Sequence, residues 1–225
     1  MSKQVRMLIY GDSNSWGYLD DGQGRRYERR WPIEMYKILS DMLPLTLIEE
    51  CLPGRTTDLD DAVMGKGFNG RAHLETILRS HQPLDHIVIM LGTNDLKARF
   101  NRSADDIAKS LIGLGQLACR IPAGRGGWAT AQTADVTLIC PLVIGRRAND
   151  TAWERAEEWL GAFEKSSVMA SAIQLAGAAA GMRVVDGNQF GCSSERDPIH
   201  WGEGMHVKFG AGVANLLHEQ LFMDV

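Results

Sequence analysis

Five short, nearly continuous apolar runs punctuate the chain, and the longer segments between them carry apolar residues at helical spacing. This alternation constrains the fold more than any other feature. Strands separated by helices run parallel in one sheet, with the helices covering its faces. The runs are Val5 to Tyr10, Leu45 to Cys51, His86 to Leu91, Val136 to Cys140 and Met182 to Val185. Their unbroken apolar character suits strands covered on both sides. An α/β fold with a five-stranded, mainly parallel sheet is predicted.

The intervening segments supply the helices. Ile107, Leu111, Leu114 and Leu117 form one apolar stripe, and Ser103 with Asp106 predicts a capping box at its start. Trp31, Met35, Ile38, Leu39 and Met42 form a second stripe, and Val213, Leu216, Leu217 and Leu221 a third. Trp153 to Ala180, rich in alanine and glutamate, reads as one long helix or two joined near Ser166 and Ser167. Asp20 to Arg30 and Ile121 to Thr133 read as surface loops over the functional site. A length of 225 residues, with no repeat, linker or low-complexity tract, predicts a single domain over 1–225.

Charge and cysteine usage exclude several functions. The formal charge is −4, and the cluster Arg25, Arg26, Arg29 and Arg30 lies among Asp20, Asp21 and Glu28. It reads as a solvated loop face, so no nucleic-acid partner is expected. Cys51, Cys119, Cys140 and Cys192 form no C-x-x-C pair, and Cys51 and Cys140 read as small buried hydrophobes. His206 follows His200 by six residues, but no ligand cluster accompanies it, and no metal site is expected. No secretory signal or membrane-length apolar run is visible, so a cytoplasmic protein is expected.

In open parallel sheets, ligands bind beyond the carboxyl ends of the strands. The first run is followed by Gly11-Asp12-Ser13-Asn14, which places a serine hydroxyl at that edge, although Gly-Asp-Ser by itself is more often a turn than a nucleophile. The second is followed by Pro53-Gly54-Arg55-Thr56-Thr57 and the third by Gly92-Thr93-Asn94-Asp95, both sources of N–H donors for an oxyanion. After the fifth run comes Asp197-Pro198-Ile199-His200. A carboxylate three residues before a histidine can hold one ring nitrogen, leaving the other to accept a serine proton. His73, His81, His86 and His218 read as structural or solvated.

Gly11-Asp12-Ser13, Gly54, Gly92-x-Asn94 and Asp197-x-x-His200 match, in order, the four blocks of the SGNH (GDSL-like) hydrolases, and the chain resembles that family over nearly its whole length. The stretches 11–18, Arg30-Trp31-Pro32, 54–57 and 89–95 resemble its bacterial arylesterase and acyltransferase branch, whereas 121–180 has little in common with it. The resemblance implies a three-layer α/β/α, flavodoxin-like fold. It implies Ser13 as nucleophile, His200 as base and Asp197 as orienter, with the Ser13 and Gly54 N–H groups and the Asn94 amide as the oxyanion hole. Asn14 replaces the usual leucine, and Pro198 replaces a small residue in the acid–base loop. No cofactor is implied.

A small-molecule ester is the implied partner, with short-chain acyl esters of aryl or simple alcohols as substrates and acyl transfer to alcohols as a side reaction. Sugar deacetylation and lysophospholipid cleavage are alternatives, and a non-catalytic binding module on the same fold is the rival of another class. Asp12, Trp16, Arg55 and Trp201 are expected around the pocket, with Phe100, Trp128 and Trp153 as further aromatic candidates. The related enzymes often assemble, so a homo-oligomer is expected by kinship.

Overall fold

In the computed structural model the five runs become strands β1 (Val5–Gly11), β2 (Leu45–Cys51), β3 (His86–Met90), β4 (Asp135–Cys140) and β5 (Val184–Asp186). The structure describes residues 4–194 and 196–223, apart from the side chains of 220–223. The strands form one sheet of order β2-β1-β3-β4-β5, and every pairing is parallel. The order reverses between β1 and β3, and a crevice for ligands opens at that point beyond the strands' carboxyl ends. The helices are α1 (Ser13–Trp16), α2 (Trp31–Ser40), α3 (Gly70–Ser80), α4 (Ala104–Ala118), α5 (Ala162–Ala179) and α6 (Glu203–Met223).

Successive side chains of a strand point to opposite faces, and β1 shows how this builds three layers. Leu8 and Tyr10 pack with Leu74 and Leu78 of α3, Leu111 of α4 and Met169 and Ile173 of α5. Met7 and Ile9 pack instead with Trp31, Met35 and Leu39 of α2 and Phe209, Val213 and Leu217 of α6. All five residues of β3 are buried. Each large apolar side chain so buried contributes about 1.5–3 kcal/mol, against about 0–1 kcal/mol for an exposed ion pair, so the two apolar layers dominate stability. Met42, placed by its spacing on the α2 stripe, lies beyond the helix end and is exposed. The Leu221 side chain lies outside the described residues.

Three expectations about chain segments change. Trp153 to Gly161 is not helical. Its N–H groups bond three residues back, as from Ala156 to Trp153 (2.9 Å) and Trp159 to Ala156 (3.2 Å), and Gly161 at φ 73° precedes the start of α5 at Ala162. Trp153 and Trp159 are both buried. On an α-helix, residues six apart diverge by about 120°, and tight turns turn both rings inward. From there α5 runs unbroken through Ser166 and Ser167.

Met182 belongs to the end of α5 rather than to β5. Its N–H bonds Gly177 O (2.9 Å), Gly181 N bonds Ala178 O (3.2 Å), and Gly181 takes φ 62°, a Schellman ending. The loop 121–133 does not lie over the crevice. It sits at the amino ends of β3 and β4, where Ala123 O accepts Leu84 N–H (2.8 Å) and Arg125 pairs with Asp85 (2.5 Å). The arginine-rich loop does border the crevice, and Arg30 holds it to β2 through two bonds to Glu49 (2.6 and 2.5 Å). Among the described residues, no helix is long and apolar enough to cross a membrane.

Candidate active site

β1 delivers its last residue, Gly11, to the crevice, and the chain turns at once into the four-residue α1. Asp12 caps that turn by accepting the Asn14 N–H at 3.0 Å, which sets Ser13 at the helix start. From the far end of the chain, the loop before α6 brings in His200. Its Nε2 stands 3.2 Å from Ser13 Oγ, and its Nδ1 stands 2.7 Å from Asp197 Oδ2. The other carboxylate oxygen, Oδ1, accepts the Ile199 and His200 N–H groups at 2.8 and 3.2 Å. The lack of an N–H on Pro198 therefore removes no donor the turn uses.

Two contacts set the histidine's position independently of Ser13 and Asp197. Asn14 Nδ2 donates to Ile199 O at 3.1 Å, joining the serine turn to the histidine loop across 185 positions. Tyr18 stacks on the imidazole with centroids 4.4 Å apart, while its own N–H bonds Ser13 O. Burial of Asp197 opposes its ionisation, yet the hydrogen bonds and charge of His200 hold the carboxyl below its ordinary range. Asp197 is thus an anion suited to fixing the imidazole tautomer and stabilising an imidazolium.

Ser13, Gly54, Asn94, Asp197 and His200 all line one cavity of about 690 Å³. Gly54 adopts φ 92°, and a Cβ there would meet Met64 and Phe68 side-chain atoms at 3.2 Å, which accounts for a glycine. Asn94 donates through Nδ2 to Arg55 O at 3.2 Å, which fixes the amide's plane. Behind it, the buried Asp95 accepts the Thr57 N–H at 2.9 Å and the Thr57 hydroxyl, tying the segment after β3 to the segment after β2.

Asp12, Trp16, Arg55 and Trp201, expected around the pocket, do not line this cavity, nor do Phe100 and Trp128. Asp12 lies fully buried beneath Ser13, occupied as the cap. Arg55 turns under the sheet edge, bonding Gly11 O (3.1 Å) and lying 4.1 Å from the Tyr10 ring centroid, because a buried guanidinium needs carbonyl acceptors. Trp201 is a core residue against Phe209 at 4.6 Å. Trp16 faces Arg26, whose guanidinium lies 5.1 Å from its ring centroid. Trp128 is exposed beside Arg79, and Phe100 packs beside Arg99. Of the expected aromatic residues, Trp153 does line the cavity.

The actual walls include Tyr18, Lys97, Trp153, Arg155, Glu158 and Trp159. Lys97 was readable as the residue following Asn94-Asp95-Leu96 at the same sheet edge; the wall from 153 to 159 lay in a stretch read as helix. His206 is buried between Trp201 and Tyr27, each 5.3 Å away, and its Nδ1 accepts the Trp31 N–H, a packing role. Among the described residues no group of three or more His, Cys, Asp or Glu is arranged to hold a metal.

A search of curated proteins by sequence finds no match. Among solved structures, the inhibitor-bound aryl esterase of M. smegmatis superposes with a TM-score of 0.86 at 27% identity, covering 96% of this chain and 99% of that one. A carbohydrate acetylesterase from Sinorhizobium meliloti superposes with a TM-score of 0.85 at 28% identity, with the same coverage. The family model for GDSL-like lipases and acylhydrolases matches residues 9–208. That match spans every element from the end of β1 into α6, so the chain is an ester-hydrolysing enzyme and belongs to the GDSL-like lipase/acylhydrolase family, the SGNH hydrolases.

Proposed function

We propose that the enzyme hydrolyses short-chain acyl esters of aryl or simple alcohols through an acyl-enzyme on Ser13. The observation that carries this reading is the hydrogen-bond relay from Asp197 through His200 to Ser13, at 2.7 and 3.2 Å, opening on the cavity that Gly54 and Asn94 also line. In the first half-reaction His200 Nε2 takes the Ser13 proton as Oγ bonds the ester carbonyl carbon. The carbonyl electron pair moves onto oxygen, where the Ser13 and Gly54 N–H groups and the Asn94 amide stabilise it. Collapse breaks the C–O bond to the alcohol, which leaves with the proton from His200. Water then repeats the sequence, releasing the acid and restoring Ser13, while Asp197 remains ionised throughout.

Cavity size supports a small substrate, since about 690 Å³ falls in the range typical of small-molecule sites. Deacetylation of a sugar is a second reading, favoured by the charged groups beside the aromatic walls and by the S. meliloti neighbour. Lysophospholipids fit less well, because charged groups interrupt the walls. Ser13→Ala should abolish turnover of p-nitrophenyl acetate while leaving the circular dichroism spectrum intact; retained turnover refutes the nucleophile assignment. A panel of p-nitrophenyl esters of increasing chain length, with acetylated sugars, ranks the substrate classes.

Acyl transfer to alcohols belongs to the same proposal, checked by the ratio of transfer product to acid in dilute alcohol. A homo-oligomeric state is proposed on kinship and on Val168 and Leu175, exposed seven residues apart on one face of α5. Light scattering measures it. Four free cysteines suit a reducing, cytoplasmic compartment.

A further inference from the structure

The cavity wall contains a buried cation with unused donors. The Lys97 side chain is 5% exposed, and its ammonium makes no hydrogen bond with any described residue. The nearest carboxylate, Glu158, stands 3.6 Å away and is already engaged by Arg99 (3.1 Å) and Arg155 (2.9 Å). Arg99 is in turn paired with the buried Asp61 at 2.6 Å. The group therefore sets three cations, Lys97, Arg99 and Arg155, against two carboxylates, Asp61 and Glu158, leaving one positive charge in excess.

A desolvated ammonium without hydrogen bonds is costly, and an acceptor that arrives with the ligand recovers much of that cost. Lys97 lines the same cavity as Ser13 and Asn94, so the acceptor would belong to the molecule whose ester meets Ser13. The acidic residues across the cavity do not cancel this preference. Asp20 is held by Tyr27 (2.8 Å) and Ser194 (2.6 Å), and Asp21 by the Gln23 N–H (2.9 Å) and Arg25. Glu154 is exposed at the mouth, where Arg147 and Arg196 are also exposed.

We propose that Lys97 binds an anionic group of the substrate, a carboxylate carried on either the acid or the alcohol side of the ester. The assignment rests on the ester-hydrolase reading and names its substrate class. Discrimination follows from the unused donors of Lys97, whose ion-pair contact with Glu158 at 3.6 Å and position 5.6 Å from the Trp159 ring centroid satisfy none of them: a neutral ester leaves the ammonium without a hydrogen bond, whereas a carboxylate supplies one.

The test compares two matched pairs of esters in the wild-type enzyme and in Lys97→Met. For the acid side the pair is p-nitrophenyl hydrogen glutarate against p-nitrophenyl pentanoate; for the alcohol side it is 4-acetoxybenzoate against its methyl ester. In at least one pair the wild type should favour the anionic ester about tenfold in kcat/KM, chiefly through KM, and Lys97→Met should remove that preference. A wild-type ratio near one in both pairs overturns the proposal, as does a ratio that Lys97→Met leaves unchanged. Should the variant not fold, competitive inhibition of the wild type decides: glutarate must inhibit more strongly than pentanamide, and equal inhibition overturns the assignment. Failure of the ester-hydrolase reading looks different, since neither neutral ester would then be turned over in a Ser13-dependent way.

Discussion

Asn94 spends one amide N–H on Arg55 O, which orients the group before any substrate arrives. In the proposed mechanism the other N–H meets the developing oxyanion, and removing one such donor typically costs about 2.7–4 kcal/mol in the transition state. Asn94→Ala should therefore lower kcat roughly 100- to 1,000-fold with KM little changed, as steady-state kinetics would show. Tyr18 acts differently, by stacking on the His200 ring. Aromatic pairs of this kind contribute about 0.5–1.5 kcal/mol, so Tyr18→Leu should cost about 2- to 13-fold in kcat, and Tyr18→Phe, which keeps the ring, should restore it.

Asp12 has a pH signature. Burial pushes its carboxyl up to about 6 from an ordinary 3.8, against the Asn14 N–H and nearby positive charge. Between about 4 and 6 the folded protein then binds more protons than the unfolded chain, and this group's contribution to stability falls as pH rises. His86 and His206, pushed down by burial to about 4 and about 3, act oppositely: below 6.5 the unfolded chain binds the extra protons, and stability falls with pH. Asp12→Asn keeps an acceptor for the cap and removes only the first effect. Its Tm should therefore drop more steeply than the wild type's between pH 6 and pH 4; parallel profiles would contradict the assignment.

The residues that meet at the crevice were legible because four separate motifs follow strands that end at one edge. The pocket walls were not. Trp16 and Trp201 are adjacent in sequence to Ser15 and His200, yet neighbouring side chains on an extended or turning chain point apart, and both rings left the cavity.

At the scale of elements, local signals succeeded where they were self-contained. Ser103 and Asp106 form the capping box expected of them, the Ser103 hydroxyl accepting the Asp106 N–H at 3.1 Å and Asp106 accepting the Ser103 N–H at 3.1 Å. Ser103→Ala should destabilise the fold by about 0.5–2 kcal/mol, measurable by chemical denaturation, without changing KM. Helix propensity misled at 153–161, where alanine and glutamate favour helix but two buried tryptophans and Gly161 require tight turns. Helix propensity is worth less than about 1 kcal/mol per residue, and burial of two indoles outweighs it. α3 carries Leu74 and Leu78 one turn apart, a stripe too short to mark a helix by spacing alone.

At the scale of the whole molecule, the alternation of runs and helices specified a parallel sheet, but strand order had to come from packing. Two apolar layers share that sheet, and neither can lose its strands without exposing the other. Thermal unfolding should consequently be a single cooperative transition, with calorimetric and van't Hoff enthalpies equal; two resolved transitions would argue against one domain.

The Asn14–Ile199 bond carries a consequence for readiness. Because a neighbour of the serine grips the residue just before the imidazole, the 3.2 Å gap between Ser13 Oγ and His200 Nε2, across which the proposed mechanism moves the proton, is set in the resting protein and needs no help from an arriving ester. A fluorophosphonate should accordingly react with the empty enzyme without a lag, and cutting that grip with Asn14→Ala should slow the labelling even though every atom that makes or breaks a bond is still present.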